Sequence, residues 1–124
     1  MNAVIAPADI ARSLTELWSP RVVAHVDDYF VKVAKVHGTF DWHAHETEDE
    51  LFLVLSGSLT IRMEECSVTL APGQLFVVPK GVRHCPVADE ECQILLFERS
   101  TTKHTGDELT ERTRTLADQL RPVQ

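Results

Sequence analysis

The chain opens with a pattern typical of a helix and then changes to the spacing of β-strands. Apolar residues recur three and four positions apart from Ile10 to Trp18, and Ser19-Pro20 ends the pattern. This spacing predicts a short N-terminal helix that packs Leu14, Leu17 and Trp18 on the main body of the protein.

From Arg21 onward, apolar and polar residues alternate in short runs, which is the pattern of half-buried strands. Turns that contain glycine, proline or acidic residues separate these runs every 8–12 residues, and no helical pattern interrupts them. The sequence therefore predicts an all-β antiparallel sandwich or barrel. Its expected strands are 22–24, 29–36, 40–45, 50–55, 59–63, 67–70, 75–78, 84–87 and 93–97.

The C-terminal segment is rich in threonine and charge, and its pattern allows three interpretations. Residues 107–120 fit an amphipathic helix with leucine anchors, but their threonines weaken a helix. An extended arm over the barrel and a frayed end fit equally well. The expected layout is an N-terminal helical segment at 1–20, a barrel at 21–98 and a C-terminal arm at 99–124.

Composition and charge narrow the classes of partner. The 124 residues fit a single domain, and 12 basic against 19 acidic side chains give a net charge of −7, which argues against nucleic acid. No apolar run approaches the roughly 20 residues that cross a membrane, and the N-terminus lacks the features of a signal peptide. We expect a cytoplasmic protein whose thiols, Cys66, Cys85 and Cys92, are reduced and mostly buried.

Three of the six histidines occur at spacings that bring them together with a glutamate. His43 and His45 lie two positions apart on a predicted strand, so their side chains leave the same face. Glu50 begins the next strand after a tight acidic turn, and His84 begins a strand after a turn that contains proline and glycine. Three imidazoles and one carboxylate suit one divalent transition metal per chain, namely Fe, Mn, Ni, Cu or Zn.

Alternatives exist at several of these positions. Glu48 or Asp49 replaces Glu50 as the ligand if the acidic turn runs differently. The remaining histidines, His25, His37 and His104, lie outside the pattern and are expected at the surface. A metal-free core in which the patterned histidines only form hydrogen bonds is a further interpretation.

Two motifs in the chain resemble those of the cupin superfamily. The first is Gly38-x4-His43-x-His45-x4-Glu50-x6-Gly57, and the second is Gly73-x5-Pro79-x-Gly81-x2-His84-x3-Ala88. The spacer after Gly38 is one residue shorter than in the family pattern, and Ala88 replaces the usual asparagine. With the surrounding strands, the resemblance extends over residues 21–98. The chain also resembles short single-domain bacterial cupins described as mannose-6-phosphate isomerase-like.

The resemblance implies a double-stranded β-helix, the jelly-roll barrel of cupins, with a short N-terminal helix. It also implies that His43, His45, Glu50 and His84 are the metal ligands and that two chains form a homodimer whose N-terminal segments pack across the interface. The departure at Ala88 changes a residue that is not a ligand in the family.

The expected function is that of a metal-dependent enzyme acting on a small polar molecule in the barrel mouth. A sugar, a keto acid or a diol fits a metal with open positions, and a cupin-type isomerase or dioxygenase would supply the reaction. The alternative is a metal-containing module that binds a small ligand or acts as a sensor without turnover. Both readings expect a small-molecule partner, no nucleic acid and no membrane.

Overall fold

The structure, a computed structural model, describes residues 3–123; residues 1, 2 and 124 of the predicted terminal segments lie outside them. Between these limits the chain forms two short helices and seven strands. The helices are α1 (Pro7–Ser13) and α2 (Leu116–Gln119). The strands are β1 (Arg21–Val26), β2 (Tyr29–Thr39), β3 (Glu50–Ser56), β4 (Leu59–Met63), β5 (Ser67–Leu70), β6 (Leu75–Val78) and β7 (His84–Arg99).

The long strand β7 connects the two halves of an antiparallel sheet. Strands β1, β2, β7, β3 and β6 follow one another in that order, and β4 pairs with both β5 and β7. The beginning of β7 pairs with β4, and its end pairs with β3. This arrangement confirms the predicted jelly-roll barrel with a short N-terminal helix.

The interior of the barrel follows from the alternation along each strand. In β3, Phe52 and Val54 are buried, whereas Leu51, Leu53 and Leu55 on the other face are half-buried. The inward residues of β2, β3, β4 and β7 form one apolar cluster inside the barrel. Gly57 turns β3 into β4 with φ of +86°, and a Cβ there would lie 2.9 Å from the carbonyl oxygen of Glu91.

The N-terminal helix ends earlier than predicted. It stops at Ser13, and the chain continues in extended form beside β2, where the backbone N–H of Trp18 donates to the carbonyl of Lys35 at 2.9 Å. Leu14 and Trp18 are buried as predicted, but Leu17 is 42% exposed, so its predicted packing is wrong. Hydrogen bonds to β2 replace those of the last helical turn. The spacing of apolar residues within the segment cannot predict this pairing with a distant strand.

Two strand predictions are also wrong. Residues 40–45 form no regular strand; only His43 makes an isolated bridge, to His84. The predicted strands 84–87 and 93–97 are parts of one strand, β7, because β2 pairs along both with a bulge between Val36 and Gly38. The three acidic residues 89–91 therefore form an exposed stretch within β7 rather than a turn.

The C-terminal segment adopts the extended arm, apart from the single turn of α2. We call residues 100–122 the C-terminal arm. Its Arg114 Nε donates to Ser19 Oγ at 3.2 Å, and Arg112 donates to the carbonyl of Thr39. The arm thus lies across the barrel opening where the candidate ligands are found. Neither helix of the described chain is long and apolar enough to cross a membrane.

Candidate metal centre

The four predicted ligands lie together inside the barrel. One donor atom from each of His43, His45, Glu50 and His84 lies within 4.8 Å of the other three. This is close to the roughly 4 Å that separates opposite donors around a bound transition metal. All four side chains are buried, and His84 has no exposed surface. The cluster can therefore bind a metal ion.

Backbone pairing positions these side chains. His43 and His84 exchange two backbone hydrogen bonds, of 3.0 and 2.8 Å, which fix the two imidazoles with ring centroids 4.3 Å apart. Glu50 is the first residue of β3 and faces inward, so its Oε1 lies 3.3 Å from His84 Nε2 and 3.4 Å from His45 Nε2. Three separate segments thus meet at one carboxylate oxygen.

Hydrogen bonds to the backbone orient two of the imidazoles for metal binding. His43 Nδ1 lies 2.8 Å from the carbonyl of Asp41, and His84 Nδ1 lies 3.0 Å from that of Val82. Each Nδ1–H donates to its carbonyl, so each Nε2 has a free lone pair, as in many metal sites. His45 has no hydrogen-bond partner for either ring nitrogen although both are buried. A bound metal ion would take up the lone pair of one of these nitrogens, so the residues fit a metal ion.

The electrostatic surroundings shift the pKa values of His43 and His45 in opposite directions. Burial and the neighbouring His84 lower the pKa of His43 to about 4, so it is neutral at pH 7. Burial opposes the charge of His45, but the adjacent Glu50 carboxylate raises the pKa of His45 above its usual 6.5. Burial also opposes the charge of Glu50, yet its neighbours hold the pKa of Glu50 well below the usual range.

A second buried carboxyl beside Glu50 was not predicted from the sequence. Glu98 of β7 stands directly opposite Glu50 of β3, and both face the interior. Glu98 Oε1 lies 2.7 Å from Lys32 Nζ, which also donates to Gln119 Oε1 at 2.6 Å. Burial and the charge of Glu50 raise the pKa of Glu98 well above its usual range. The two facing carboxyls therefore differ in acidity: Glu50 loses its proton more readily than Glu98, whose Oε1 contacts Lys32 Nζ.

A sequence signal for this network does exist. Lys32 and Glu98 are charged residues at inward positions, and their neighbours on the same face of the strand, such as Ala34 and Leu96, are apolar. A buried charge needs a partner, so the two are candidates for one pair. The pairing that places Glu98 opposite Glu50 joins two strands that are far apart in the sequence, so it cannot be predicted from either strand alone.

His104 is not a surface histidine, and that prediction is wrong. It is partly buried in the C-terminal arm, with its ring centroid 5.1 Å from that of Phe40. Together with His43 and Glu50 it lines a cavity of about 30 Å³ whose other walls are apolar. Burial lowers the pKa of His104 to about 4. The arm's path, which brings His104 here, has no local sequence signal.

The remaining candidates lie away from the cluster. Glu48 accepts hydrogen bonds from Thr47 and Thr101, and Asp49 accepts one from the backbone of Lys80, so neither replaces Glu50. His25 and His37 are exposed as predicted. The three cysteines are free: Cys85 and Cys92 are buried, and Cys66 is exposed.

Comparison with known proteins identifies the family. The family model described as "Cupin domain" matches residues 29–98, more than half of the chain. The chain belongs to the cupins. A solved cupin-2 domain containing protein from Shewanella frigidimarina is 44% identical, with a TM-score of 0.75, and the match covers 77% of this chain and 94% of that one.

Two further proteins are similar to this cupin. The structure of KdgF from Halomonas sp. is 30% identical, with a TM-score of 0.56, and the match covers 64% of this cupin and 78% of that chain. The Bacillus subtilis protein YdbB, described as uncharacterized, is 34% identical over 76 residues, which are 60% of this cupin and 67% of the relative. These two likenesses give no information on the substrate.

Proposed function

We propose that this cupin holds one divalent transition metal, Fe, Mn, Ni, Cu or Zn, on His43, His45, Glu50 and His84. The observation that carries the proposal is the convergence of four buried donor atoms within 4.8 Å, two of them on imidazoles held by backbone carbonyls. Nitrogen-rich donor sets of this kind favour these metals over Ca and Mg.

We further propose that the metal centre serves an enzyme for a small molecule with two oxygen ligands, such as a keto acid or a diol. A bound metal would supply Lewis-acid polarisation of such oxygens. The protein's own residues hold the ligand nitrogens in place, and the C-terminal arm limits the access of water to the cavity beside them. Isomerase and dioxygenase reactions both fit this arrangement.

A reaction on a phosphorylated sugar has less support. Lys80 and Arg83, the cations of the second motif, are exposed and do not line the cavity. Among the described residues, the cavity walls contain no cation that would pair with a phosphate. The resemblance to mannose-6-phosphate isomerase-like proteins therefore supports the cupin family but does not identify a sugar phosphate as the substrate.

One observation favours the non-catalytic alternative, a metal-containing module for binding or sensing. Apart from the proposed ligands, His104 is the one titratable side chain among the described residues that line the cavity. With its pKa near 4 it is a weak base at neutral pH. A binding protein needs no proton acceptor, whereas an isomerase does.

Turnover by protein of known metal content separates the two functions. We would load the chain with each of the five metals and incubate it with a panel of 2-keto acids, 1,2-diols and aldoses, with and without oxygen. The enzyme proposal predicts consumption of one class that the His84→Ala variant abolishes. Calorimetric binding of a panel member without consumption under any metal would support the binding module instead.

We also propose a homodimer that forms through the outer face of the sheet. Leu75 and Val77 of β6 are 56% and 42% exposed, and Leu51 and Leu53 of the adjacent β3 are half-buried. Leu51 stands opposite Val77 and Leu53 opposite Leu75, so the four side chains are neighbours on one apolar face, and exposed apolar faces often mark interaction sites. A second copy of the chain is the partner proposed to cover it.

A further inference from the structure

The cavity beside the proposed metal ligands is mainly apolar. Nine of the twelve residues that line it are apolar, and two of the others are the ligands His43 and Glu50. Its volume of about 30 Å³ has room for about two water-sized groups. A group that enters this space beyond the metal therefore contacts hydrocarbon on most sides.

Aromatic stacking builds one wall of the cavity. The rings of Trp18 and Phe40 stack with centroids 4.8 Å apart, and Phe40 also contacts His104. The indole N–H of Trp18 donates to the carbonyl of His37 at 2.9 Å, so it is not available to a molecule in the cavity. A ligand can pack against this wall, but the side chains of Trp18 and Phe40 have no hydrogen bond to offer it. His104 is the exception.

His104 carries one free hydrogen-bond donor. Its Nδ1 accepts the backbone N–H of Arg114 at 2.9 Å, so in the neutral ring the proton lies on Nε2. Within residues 3–123 this Nε2–H has no hydrogen-bond partner. His104 lines the cavity, so the arm supplies this site with one N–H group that makes no other hydrogen bond in the described part of the chain.

We infer that the ligand of this cupin is a small chelator whose two oxygens face the histidine–glutamate cluster, whose short alkyl substituent fills the apolar cavity, and which accepts a hydrogen bond from His104. This inference rests on the proposed metal centre and narrows its substrate class. A keto acid or diol with a substituent of one or two carbon atoms fits. A sugar does not, because the single donor of His104 would leave most of its hydroxyl groups buried without partners.

Two hydroxamates of equal size test the apolar part of the inference. Propionohydroxamate and glycolohydroxamate carry the same chelating head and differ by a methyl group in place of a hydroxyl. Titration of the zinc-loaded protein by calorimetry should show about tenfold tighter binding of propionohydroxamate, because the hydroxyl of glycolohydroxamate loses its water in the cavity while the His104 N–H donates to the chelating head. Equal affinity, or a preference for glycolohydroxamate, would overturn the inference.

Variants at His104 test the donor. His104→Phe keeps a ring but removes the N–H, and it should weaken the binding of both hydroxamates about fivefold. His104→Gln keeps a donor for the ligand and an acceptor for Arg114, so it should recover most of the lost affinity. His37→Phe, at an exposed position, should leave the affinity for both hydroxamates unchanged. If the Phe and Gln variants bind equally, the hydrogen bond is absent and the inference fails.

Zinc stoichiometry, measured on every sample first, separates this inference from the proposed metal centre. All His104 and His37 variants should hold as much zinc as the wild type. A wild type that holds no zinc would contradict the metal centre itself. A wild type that holds one zinc and shows no preference between the hydroxamates would contradict only the inference about the ligand.

Discussion

Lys32 is the buried cation beside Glu98, the carboxyl that faces Glu50. Replacement by methionine leaves two buried groups, the carboxyl of Glu98 and the amide oxygen of Gln119, without their donor, so Lys32→Met should lower the free energy of unfolding by about 3–5 kcal/mol. Urea unfolding of the metal-free protein measures this loss.

Lys35 on the same strand provides the matched control. Its Nζ donates to the carbonyl of Arg12 at 2.8 Å and lies 4.0 Å from the half-exposed Glu91, so Lys35→Met should lower the free energy of unfolding by only about 1 kcal/mol. The double variant Lys32→Met/Glu98→Leu should lose less stability than the sum of its two single variants. Additive losses would show that the Lys32–Glu98 contact contributes no coupling.

Proton competition at His45 sets the expected pH dependence of metal binding. A histidine must be neutral to bind metal, and Glu50 raises the pKa of His45 above 6.5, whereas His43 stays neutral down to about pH 4. Metal affinity should therefore fall as the pH drops through the raised pKa of His45, by about tenfold per pH unit. Calorimetry in buffers of different ionisation enthalpy should count about one released proton below that pKa. Constant affinity from pH 7.5 to 5.5 would contradict this assignment.

At the scale of elements, the C-terminal arm packs against the ligand segment through Gly106. A Cβ at this residue, whose φ is +66°, would lie 2.2 Å from the carbonyl oxygen of Ala44, between His43 and His45. Gly106→Ala should therefore displace the arm and expose the cavity. Hydrogen exchange of residues 100–115 should accelerate, and the thermal midpoint should fall by several degrees.

Gly73→Ala is the control for backbone strain alone. Gly73 has a similar positive φ of +83°, but nothing lies within 4 Å of an added Cβ. This variant should lose stability without faster exchange in the arm. Equal exchange rates in the two variants would contradict the proposed packing of the arm on the ligand segment.

The elements also show why some of the site could be predicted and some could not. His43 and His45 are two residues apart and Glu50 follows closely, so local spacing was enough to select them. His84 required the second motif. Glu98 depends on the register between β3 and β7, and His104 depends on where the arm crosses the barrel. Both are long-range features with no periodic signature. The same limit explains the helix that ends at Ser13 and the single strand β7.

At the scale of the whole molecule, the exposed apolar face of β3 and β6 predicts a dimer. Light scattering after size-exclusion chromatography should give about 28 kDa, twice the 13.9 kDa of one chain. Val77→Lys places a charge on this face and should shift the mass to that of the monomer. Val4→Lys, at a fully exposed position of the N-terminal segment, should leave the dimer intact. A wild type of about 14 kDa would contradict the prediction.

The metal content of the purified protein tests the central claim most directly. Elemental analysis of protein prepared without chelators and reconstituted with each candidate metal should find about one transition metal ion per chain. His84→Ala, which removes one of four ligands, should retain less than about a tenth of it while keeping the β-rich circular dichroism of the wild type. His37→Ala should match the wild type. Equal metal content in wild type and His84→Ala, or no metal in the reconstituted wild type, would contradict the account.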